Sequence, residues 1–236
     1  MNKQNLAPVG NGLRAVEIVK ARFKRLPRGV IQVGAHNGRE VPKLARSGVP
    51  KAVFIDPLDE TFQTLQTRVD DINAADSDRA PNSYVAIQAV IGDEEGKSIT
   101  FNISSNTGES SSFLEPTGHT KVKPNIHFEE KREMTMRTLD KLLPENGLSG
   151  EDYDMMFIDT QGAEKHVLMG SLGMLKSIDF LWLEVSIGGI YGGDMPLSRF
   201  VVFLEALGFE LGHCELKRLG WGDALFVRRS VFINHD

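Results

Sequence analysis

Hydrophobic residues recur along this chain in two alternating patterns, short apolar runs and stretches with helical spacing. Short runs rich in β-branched residues predict buried strands at 29–33, 52–55, 84–91, 154–158 and 178–185. Apolar residues spaced three and four apart predict helices at 13–26, 38–46, 58–69, 163–175 and 196–207. Strands that alternate with helices predict a parallel sheet with right-handed crossover connections.

Two segments depart from this alternation. In the middle, predicted strands at 97–103 and 133–137 flank a loop at 104–125 that is rich in serine and threonine, and a short helix is predicted at 138–143. Long loops of this kind are often functional. At the end, strands at 209–216 and 224–229 are joined by a turn at 220–222, so they must be antiparallel. We therefore predict an α/β fold with a Rossmann-like, mostly parallel sheet, an antiparallel C-terminal hairpin and an inserted β and loop segment around 97–137.

Two polar stretches are predicted to lack regular structure. Residues 1–12 contain prolines and glycines and are expected to form a flexible lead-in. Residues 70–82 are acidic and alanine-rich, which favours a loop or a frayed helix end. The predicted organisation is a polar lead-in and helix at 1–27 and a folded domain at 28–229, forming one globular domain overall.

The composition excludes several classes of protein. With 41% hydrophobic and 25% charged residues among 236, the chain has the mix of an ordinary soluble protein. Its net charge of −5 argues against non-specific binding of nucleic acid, which needs clustered basic charge. The single cysteine, Cys214, rules out an internal disulfide and a multi-cysteine metal site. No apolar run approaches the roughly 18 residues of a membrane span, and the N-terminus has no apolar signal core, so we expect a cytoplasmic protein.

A glycine-containing loop follows the first predicted strand. Gly34 and Gly38 have the spacing Gly-x-x-x-Gly, which fits a pyrophosphate cradle poorly and also suits a tight turn from strand to helix. Asp56 ends the second strand, where a carboxylate can accept hydrogen bonds from ribose hydroxyls or cap the helix that starts near Pro57. Together the loop and the acid predict an adenosine-containing cofactor, either NAD or S-adenosylmethionine (SAM).

A second polar cluster follows the fourth and fifth strands of the predicted parallel sheet. Asp159, Thr160 and Gln161 come directly after one strand, and Glu184 lies near the end of the next. We expect their side chains at the same sheet edge as Gly34, where ligands of doubly wound folds bind. Asp159 and Glu184 could shift each other's pKa or hold a metal, but no metal-ligand spacing in the sequence supports a metal site.

Seven segments, in this order, resemble the motifs of the FkbM family of SAM-dependent methyltransferases. Any one of them is weak evidence, but their order and spacing along residues 28–229 make the resemblance fairly specific. The segments are IQVGAHNG at 31–38, FIDP at 54–57, AVIGDEEG at 89–96, RTLD at 137–140, FIDTQGAE at 157–164, VLMG at 167–170 and LEVS at 183–186.

The resemblance implies a seven-stranded class I methyltransferase sheet with an antiparallel final strand. It also implies SAM as the cofactor and O-methylation of a hydroxyl on a sugar, a glycan or a natural product. Residues 34–38 would wrap the methionine part of SAM, residue 56 would hold its ribose, residues 88–91 would line its adenine, and residues 159–161 would border the methyl group and the acceptor. The implied cofactor-binding residues are Gln32, Gly34, Ala35, His36, Asn37, Gly38, Asp56, Pro57, Gln88, Ala89, Val90, Ser111, Asp159, Thr160 and Gln161.

A neutral alcohol is a poor nucleophile, so a general base near the methyl group is expected. The candidates, in order of preference, are Asp159, Glu184 and His36. The chain departs from the family pattern at Gln32, where aspartate is common, at Phe157, where lysine is common, and at Gln161, where glutamate is frequent.

Other functions stay open at this point. One alternative is a degenerate methyltransferase fold that binds SAM without turnover. Another is an NAD-dependent oxidoreductase, against which the missing Gly-x-Gly-x-x-Gly and the terminal hairpin count. The expected partner is a small-molecule or glycan hydroxyl acceptor, with no nucleic acid and no membrane span. The sequence does not predict the oligomeric state.

Overall fold

The structure is a computed structural model that describes residues 11–75, 80, 83–119, 123–188, 190–218 and 220–233. Its strands are β1 (Val30–Val33), β2 (Ala52–Asp56), β3 (Tyr84–Gln88), β4 (Val90–Ile91), β5 (Ser98–Ser104), β6 (Phe128–Arg137), β7 (Met155–Ile158), β8 (Phe180–Ser186), β9 (Phe209–Leu216) and β10 (Trp221–Arg228). Its α-helices are α1 (Asn11–Phe23), α2 (Val41–Ser47), α3 (Asp59–Ala75), α4 (Leu139–Glu145), α5 (Glu164–Met169), α6 (Leu197–Ala206) and α7 (Arg229–Ile233). Within these residues no helix has the length and apolar character needed to span a bilayer.

Seven strands form the main sheet in the order β3-β2-β1-β7-β8-β10-β9. Neighbouring strands from β3 to β8 are parallel, whereas β10 is antiparallel to both β8 and β9. The predicted mostly parallel α/β sheet with an antiparallel C-terminal hairpin is therefore confirmed, and with it the class I methyltransferase sheet that the resemblance implies.

Helices cover both faces of this sheet, which explains why its central strands are apolar without alternation. Every residue of β2 is buried. On one face, α1 contributes Val16, Val19 and Phe23 to a core that also contains Phe54 of β2. On the other face, α4, α5 and α6 pack against residues such as Ile55. Because both faces are covered, the carboxyl-terminal edge of the strands is the place left for a ligand.

The single strand predicted at 84–91 is wrong, because the chain changes sheets at Ala89. Residues up to Gln88 pair with β2 of the main sheet, whereas Val90 pairs with Met136 in a second sheet of order β4-β6-β5. Both parts of the segment are apolar, so hydrophobic periodicity could not mark the change. The second sheet is the predicted insertion, and its strand β6 begins earlier than expected, at Phe128.

Several other boundaries differ from the predictions. The helix predicted at 163–175 ends at Met169, because Gly170 passes so close to Gly92 that a Cβ would lie 1.9 Å from its carbonyl oxygen. The predicted turn at 220–222 is wrong for residues 221 and 222, which belong to β10. Helix α1 begins at Asn11, inside the predicted lead-in, whose residues 1–10 lie outside the described part. Helix α3 continues to Ala75, into the segment at 70–82 for which a loop or a frayed helix end is predicted. Residues 76–79, 81 and 82 of that segment also lie outside the described part.

Candidate functional site

A cleft of about 1470 Å³, which includes solvent-open space, lies at the carboxyl-terminal edge of β1, β2 and β7. Most of the residues predicted for the site line it together. They are Gln32, Gly34, Ala35, His36, Asn37, Asp56, Pro57, Ala89, Val90, Ser111, Asp159, Thr160, Gln161 and Glu184. The fold thus brings together the loop at 34–38, which we call the glycine loop, and the loop at 104–125, which we call the serine loop. Asp56 and the pair formed by Asp159 and Glu184 lie at the same place.

Two predicted cofactor residues are not among those that line the cleft. A Cβ on Gly38 would lie 2.7 Å from Cδ1 of Leu65, so this glycine allows close packing on α3. The amide of Gln88 donates to the carbonyl of Pro57 at 3.2 Å and to the carboxylate of Asp59, and its side chain is exposed. Both positions therefore have local structural roles.

Gly34 is required by the close crossing of two loops. Its φ of +84° lies in the left-handed region, and a Cβ would lie 1.8 Å from the backbone oxygen of Asp159. The backbone amides of Gly34 and Ala35 both donate to the carbonyl of Ile55, at 2.9 and 3.0 Å. The glycine loop is therefore held against the ends of β2 and β7, and it places Asp159 beside the predicted cofactor loop.

Asp56 binds both the glycine loop and the chain segment where α3 begins. Its Oδ2 accepts from the backbone amide of His36 at 2.7 Å, and its Oδ1 accepts from the hydroxyl of Thr61 at 2.7 Å and the amide of Leu58 at 3.3 Å. Burial raises the pKa of Asp56, although these hydrogen bonds and the nearby His36 oppose the shift. Because α3 begins only at Asp59, the alternative that Asp56 is its N-cap is wrong. A carboxylate oxygen with a single partner has capacity for a further donor.

His36 also connects two loops of the cleft. It has a φ of 49°, unusual for a residue with a side chain, and its Nε2 lies 2.8 Å from the carbonyl of Thr107. A carbonyl only accepts, so Nε2 carries the proton of this bond. The ring therefore anchors the serine loop to the glycine loop.

Gln161 bridges the two acidic residues. Its Nε2 donates to Oδ1 of Asp159 at 2.7 Å and to Oε2 of Glu184 at 2.8 Å. Its Oε1 lies 3.3 Å from the phenol oxygen of Tyr191, whose single proton has a shorter bond to the carbonyl of Ser110, at 2.9 Å. The backbone of Gln161 has a φ of 54°, and strained residues of this kind cluster at functional sites.

Burial and mutual repulsion raise the pKa values of this acidic pair. Burial raises the pKa of Glu184 well above its usual value, and the charges of Asp159 and Glu164 add to the effect. Desolvation deep in the cleft also raises the pKa of Asp159, even though its side chain is open to the cleft, while hydrogen bonds from Gln161 and Glu184 counter the shift. The pair consequently titrates as a unit and retains a shared proton to higher pH than separate carboxylates would.

Glu164 shapes the turn that carries Gln161. Its buried Oε1 accepts from the backbone amides of Thr160, at 2.9 Å, and Gly162, at 3.2 Å. Burial raises the pKa of Glu164 to about 7 despite these bonds. The carboxylate thus reaches back to amides of the turn that precedes α5, the helix that begins at Glu164 itself.

Two oxygens of the cleft lack a hydrogen-bond partner among the described residues. They are Oε1 of Gln32 and Oε2 of Glu40, and both are buried. Buried acceptors of this kind call for a ligand or water donor. The sequence motifs did not reveal Glu40, which lies just beyond the glycine loop. Phe157 is another position at which the chain departs from the family pattern. Its ring packs against Gly12 of α1 and belongs to the core.

The aromatic and basic wall of the cleft was also missed from the sequence. Phe101 and Phe113 come from the inserted segment, whereas Lys217 and Trp221 come from the terminal hairpin. The ammonium of Lys217 lies 3.5 Å from the centroid of the Trp221 ring. Within the described ranges no group of three or more His, Cys, Asp and Glu residues is arranged to hold a metal.

Known proteins resemble this chain in sequence and in fold. The family model for the methyltransferase FkbM domain matches residues 32–211. The 2-O-methyltransferase NoeI of Sinorhizobium fredii (strain NBRC 101917 / NGR234) is 30% identical over 130 residues, which cover 52% of this chain and 51% of NoeI, so the match spans about half of each protein. The cofactor-bound structure of Rv0187 from MTB has a TM-score of 0.52 at 13% identity, over 96% of this chain and 83% of that one, and supports the fold alone.

Proposed function

Because the chain belongs to the FkbM methyltransferase domain family, we propose that it transfers a methyl group from SAM to a hydroxyl oxygen of a small-molecule or glycan acceptor. The observation that carries this proposal is the crossing of Gly34 and Asp159. The first residue of the predicted cofactor loop touches the backbone of the first candidate base, so a cofactor in the cleft and an acidic group meet at one point. The relative NoeI, a 2-O-methyltransferase, supports oxygen as the methylated atom.

The residues of the cleft fit SAM. Oε1 of Gln32 and Oε2 of Glu40 are unpartnered acceptors that would bind its ammonium group, and Glu40 brings the negative charge that an aspartate at position 32 would supply. Asp56 would accept from a ribose hydroxyl. The apolar side chains of Val90 and Phe101 would pack against the adenine ring. When bound, SAM supplies an electrophilic methyl group on a sulfonium sulfur.

Asp159 is the proposed general base. Oδ1 of Asp159 accepts a hydrogen bond from Gln161. The side chain of Asp159 is exposed to the cleft, so its Oδ2 is available to an acceptor hydroxyl. If SAM supplied the methyl group, its carbon–sulfur bond would break and leave S-adenosylhomocysteine as the acceptor oxygen took the methyl group, and the proton of the broken O–H bond would pass to Asp159. Glu184 is kept protonated by its surroundings. It hydrogen-bonds to Asp159 and so limits the total negative charge of the two acids.

The proposal is tested first by calorimetric titration with SAM, S-adenosylhomocysteine and NAD. We expect both sulfur compounds to bind and NAD not to bind. Binding of NAD alone would contradict the proposal and favour an oxidoreductase. A second measurement follows formation of S-adenosylhomocysteine with a panel of hydroxyl-bearing acceptors. Binding of SAM without turnover on any acceptor would instead indicate a degenerate methyltransferase.

A further inference from the structure

A second cavity, of about 510 Å³, lies next to the cleft and is not explained by the cofactor. Its walls come from the end of β8, the loop between β8 and α6, and the end of the serine loop. We call it the side pocket and define it by His119, Gly162, Val185, Ile190, Tyr191 and Met195.

The side pocket joins the cleft at the acidic pair. Four residues line both cavities, namely Lys123, Gln161, Glu184 and Trp221. A molecule in the side pocket therefore reaches the cleft at the place where Gln161 holds Asp159 and Glu184. This is where an acceptor hydroxyl has to lie if Asp159 takes its proton.

His119 is the unexplained polar group of the side pocket. Its side chain is almost completely buried, at 1% exposure, yet neither ring nitrogen has a hydrogen-bond partner among the described residues. Two rings hold the imidazole in place, Phe128 at 5.1 Å and Tyr191 at 5.5 Å between centroids. Nε1 of Trp221, at the junction, is also buried and unpartnered within the same ranges. Unpaired buried polar atoms are rare, so both groups point to a ligand.

We propose, resting on the proposed function, that the side pocket recognises the acceptor through a second hydroxyl, next to the one that is methylated. One hydroxyl lies at the junction and receives the methyl group, and the other enters the side pocket and is bound by His119.

The chemistry of the pocket favours this ligand. Burial and the charge of Lys123 lower the pKa of His119, so the imidazole is neutral and offers one donor and one acceptor. A hydroxyl offers the same pair. The rings of Tyr191 and Trp221 provide apolar surfaces of the kind that pack against the C–H faces of sugar rings. The indole N–H of Trp221 can donate to a further sugar oxygen.

The test uses the full-length protein with S-adenosylhomocysteine bound and a panel of methyl glycopyranosides, including gluco, galacto, manno and fuco forms. Binding is followed by tryptophan fluorescence, which reports on Trp221 at the junction because Trp182 is buried in the core. For a glycoside that binds, deoxy forms lacking one of two neighbouring hydroxyls are measured with wild type and with His119→Phe. The phenyl ring keeps the ring contacts and removes both nitrogens, and His127→Phe makes the same change at an exposed histidine.

We expect wild type to bind at least one glycoside saturably, and His119→Phe to weaken that binding about tenfold. The deoxy glycoside that lacks the hydroxyl bound by His119 should bind wild type about tenfold more weakly than the parent glycoside. Its affinity for His119→Phe should equal its affinity for wild type. His127→Phe should behave as wild type. Absence of glycoside binding to wild type, or equal binding by His119→Phe, would overturn the inference.

Calorimetry with S-adenosylhomocysteine separates this inference from the proposed function. Binding to wild type and to His119→Phe with equal affinity shows that the cofactor site is intact, so a failure with glycosides then concerns the side pocket alone. If wild type does not bind S-adenosylhomocysteine, the proposed function itself fails. The comparison of deoxy glycosides uses wild type, so it decides the question even if His119→Phe does not fold.

Discussion

The phenol oxygen of Tyr191 lies 3.3 Å from the side-chain oxygen of Gln161 while it donates its one proton mainly to the carbonyl of Ser110 at 2.9 Å, and this contact favours the orientation of the Gln161 amide in which the oxygen faces Tyr191. In this orientation, Gln161 presents its NH₂ group to Asp159 and Glu184. The reverse orientation would place an amide oxygen against carboxylate oxygens. Tyr191 therefore positions the acidic pair without touching it.

Replacing Tyr191 by phenylalanine should lower kcat by about three- to tenfold, because a contact that orients Gln161 is lost. The ring remains, so its packing against His119 is retained. The affinity for SAM should not change. Tyr153→Phe is the matched control, because it removes a phenol from a buried tyrosine of the core. An unchanged kcat for Tyr191→Phe would contradict the positioning role.

The roles of the two acids should separate by pH. Both pKa values are raised, so the rate should increase with pH as Asp159 releases its proton and becomes a base. Asp159→Asn should lower kcat by about 10² to 10⁴ at the alkaline end and abolish the rise with pH, so its deficit should shrink as the pH falls. Glu184→Gln keeps a neutral hydrogen-bonding group beside Asp159. This variant should preserve activity and the increase of the rate with pH in the acidic range. If Glu184→Gln abolishes the rate instead, Glu184 is the base. Steady-state rates measured across the acidic to mildly alkaline range make the comparison.

Glu40 should contribute the charge that binds the amino acid part of SAM. Glu40→Gln should weaken SAM and S-adenosylhomocysteine about tenfold, because a charge-assisted hydrogen bond becomes a neutral one. Methylthioadenosine lacks the ammonium group and serves as the matched ligand, so its affinity should not change. Calorimetry measures all three, and equal weakening of all three ligands would indicate a general distortion of the cleft.

Stability should depend on Glu164 in a defined pH window. Because burial raises the pKa of Glu164 from 4.5 to about 7, the folded protein holds a proton that the unfolded chain releases between these values. The free energy of unfolding therefore falls as pH rises through this window, by up to about 3 kcal/mol. Glu164→Gln keeps the accepting Oε1 and removes this cost. In urea unfolding, the variant should match wild type at the lower end of the window and exceed it above the upper end; a variant that is less stable there would show that the charged form is needed.

Gly34→Ala should destabilise the protein by about 3–5 kcal/mol, because the new Cβ collides with the backbone of Asp159 and the backbone conformation is strained. Gly96→Ala is the matched control. Gly96 has a φ of +78°, but nothing lies within 4 Å of the place that its Cβ would take, so strain alone should cost about 1–2 kcal/mol. Thermal or urea unfolding compares the two, and equal losses would show that the crossing with Asp159 is relaxed in solution.

The parts of the fold that can be predicted are those governed by periodicity and by strand direction. Strands at 52–55 and 154–158 are recognisable because parallel strands are apolar on both faces, and Gly34, Asp56 and Asp159 can be placed together because such strands end at one edge. The change of sheet at Ala89 leaves no trace in the apolar pattern. Glu164 cannot be interpreted from spacing, because the strained backbone of Gln161 brings its carboxylate back to Thr160.

The side pocket could not be predicted because loops build it. Two backbone hydrogen bonds join the serine loop to the loop before α6, Gly118 to the carbonyl of Ile190 at 2.9 Å and Gly192 to the carbonyl of Glu115 at 2.7 Å. Neither loop has an apolar period, and no local rule pairs segments so distant in sequence. Only the fold places the rings of His119 and Tyr191 together.

Because two joined loops close the side pocket, the side pocket and the cleft can change differently in evolution. The cleft is formed mainly at the ends of strands, where a substitution disturbs the sheet itself, whereas the side pocket is closed by segments outside the sheet. Relatives could therefore diversify in what they modify while their strand ends stay fixed. Since each loop depends on the other for its backbone partners, such diversification requires both loops to change together.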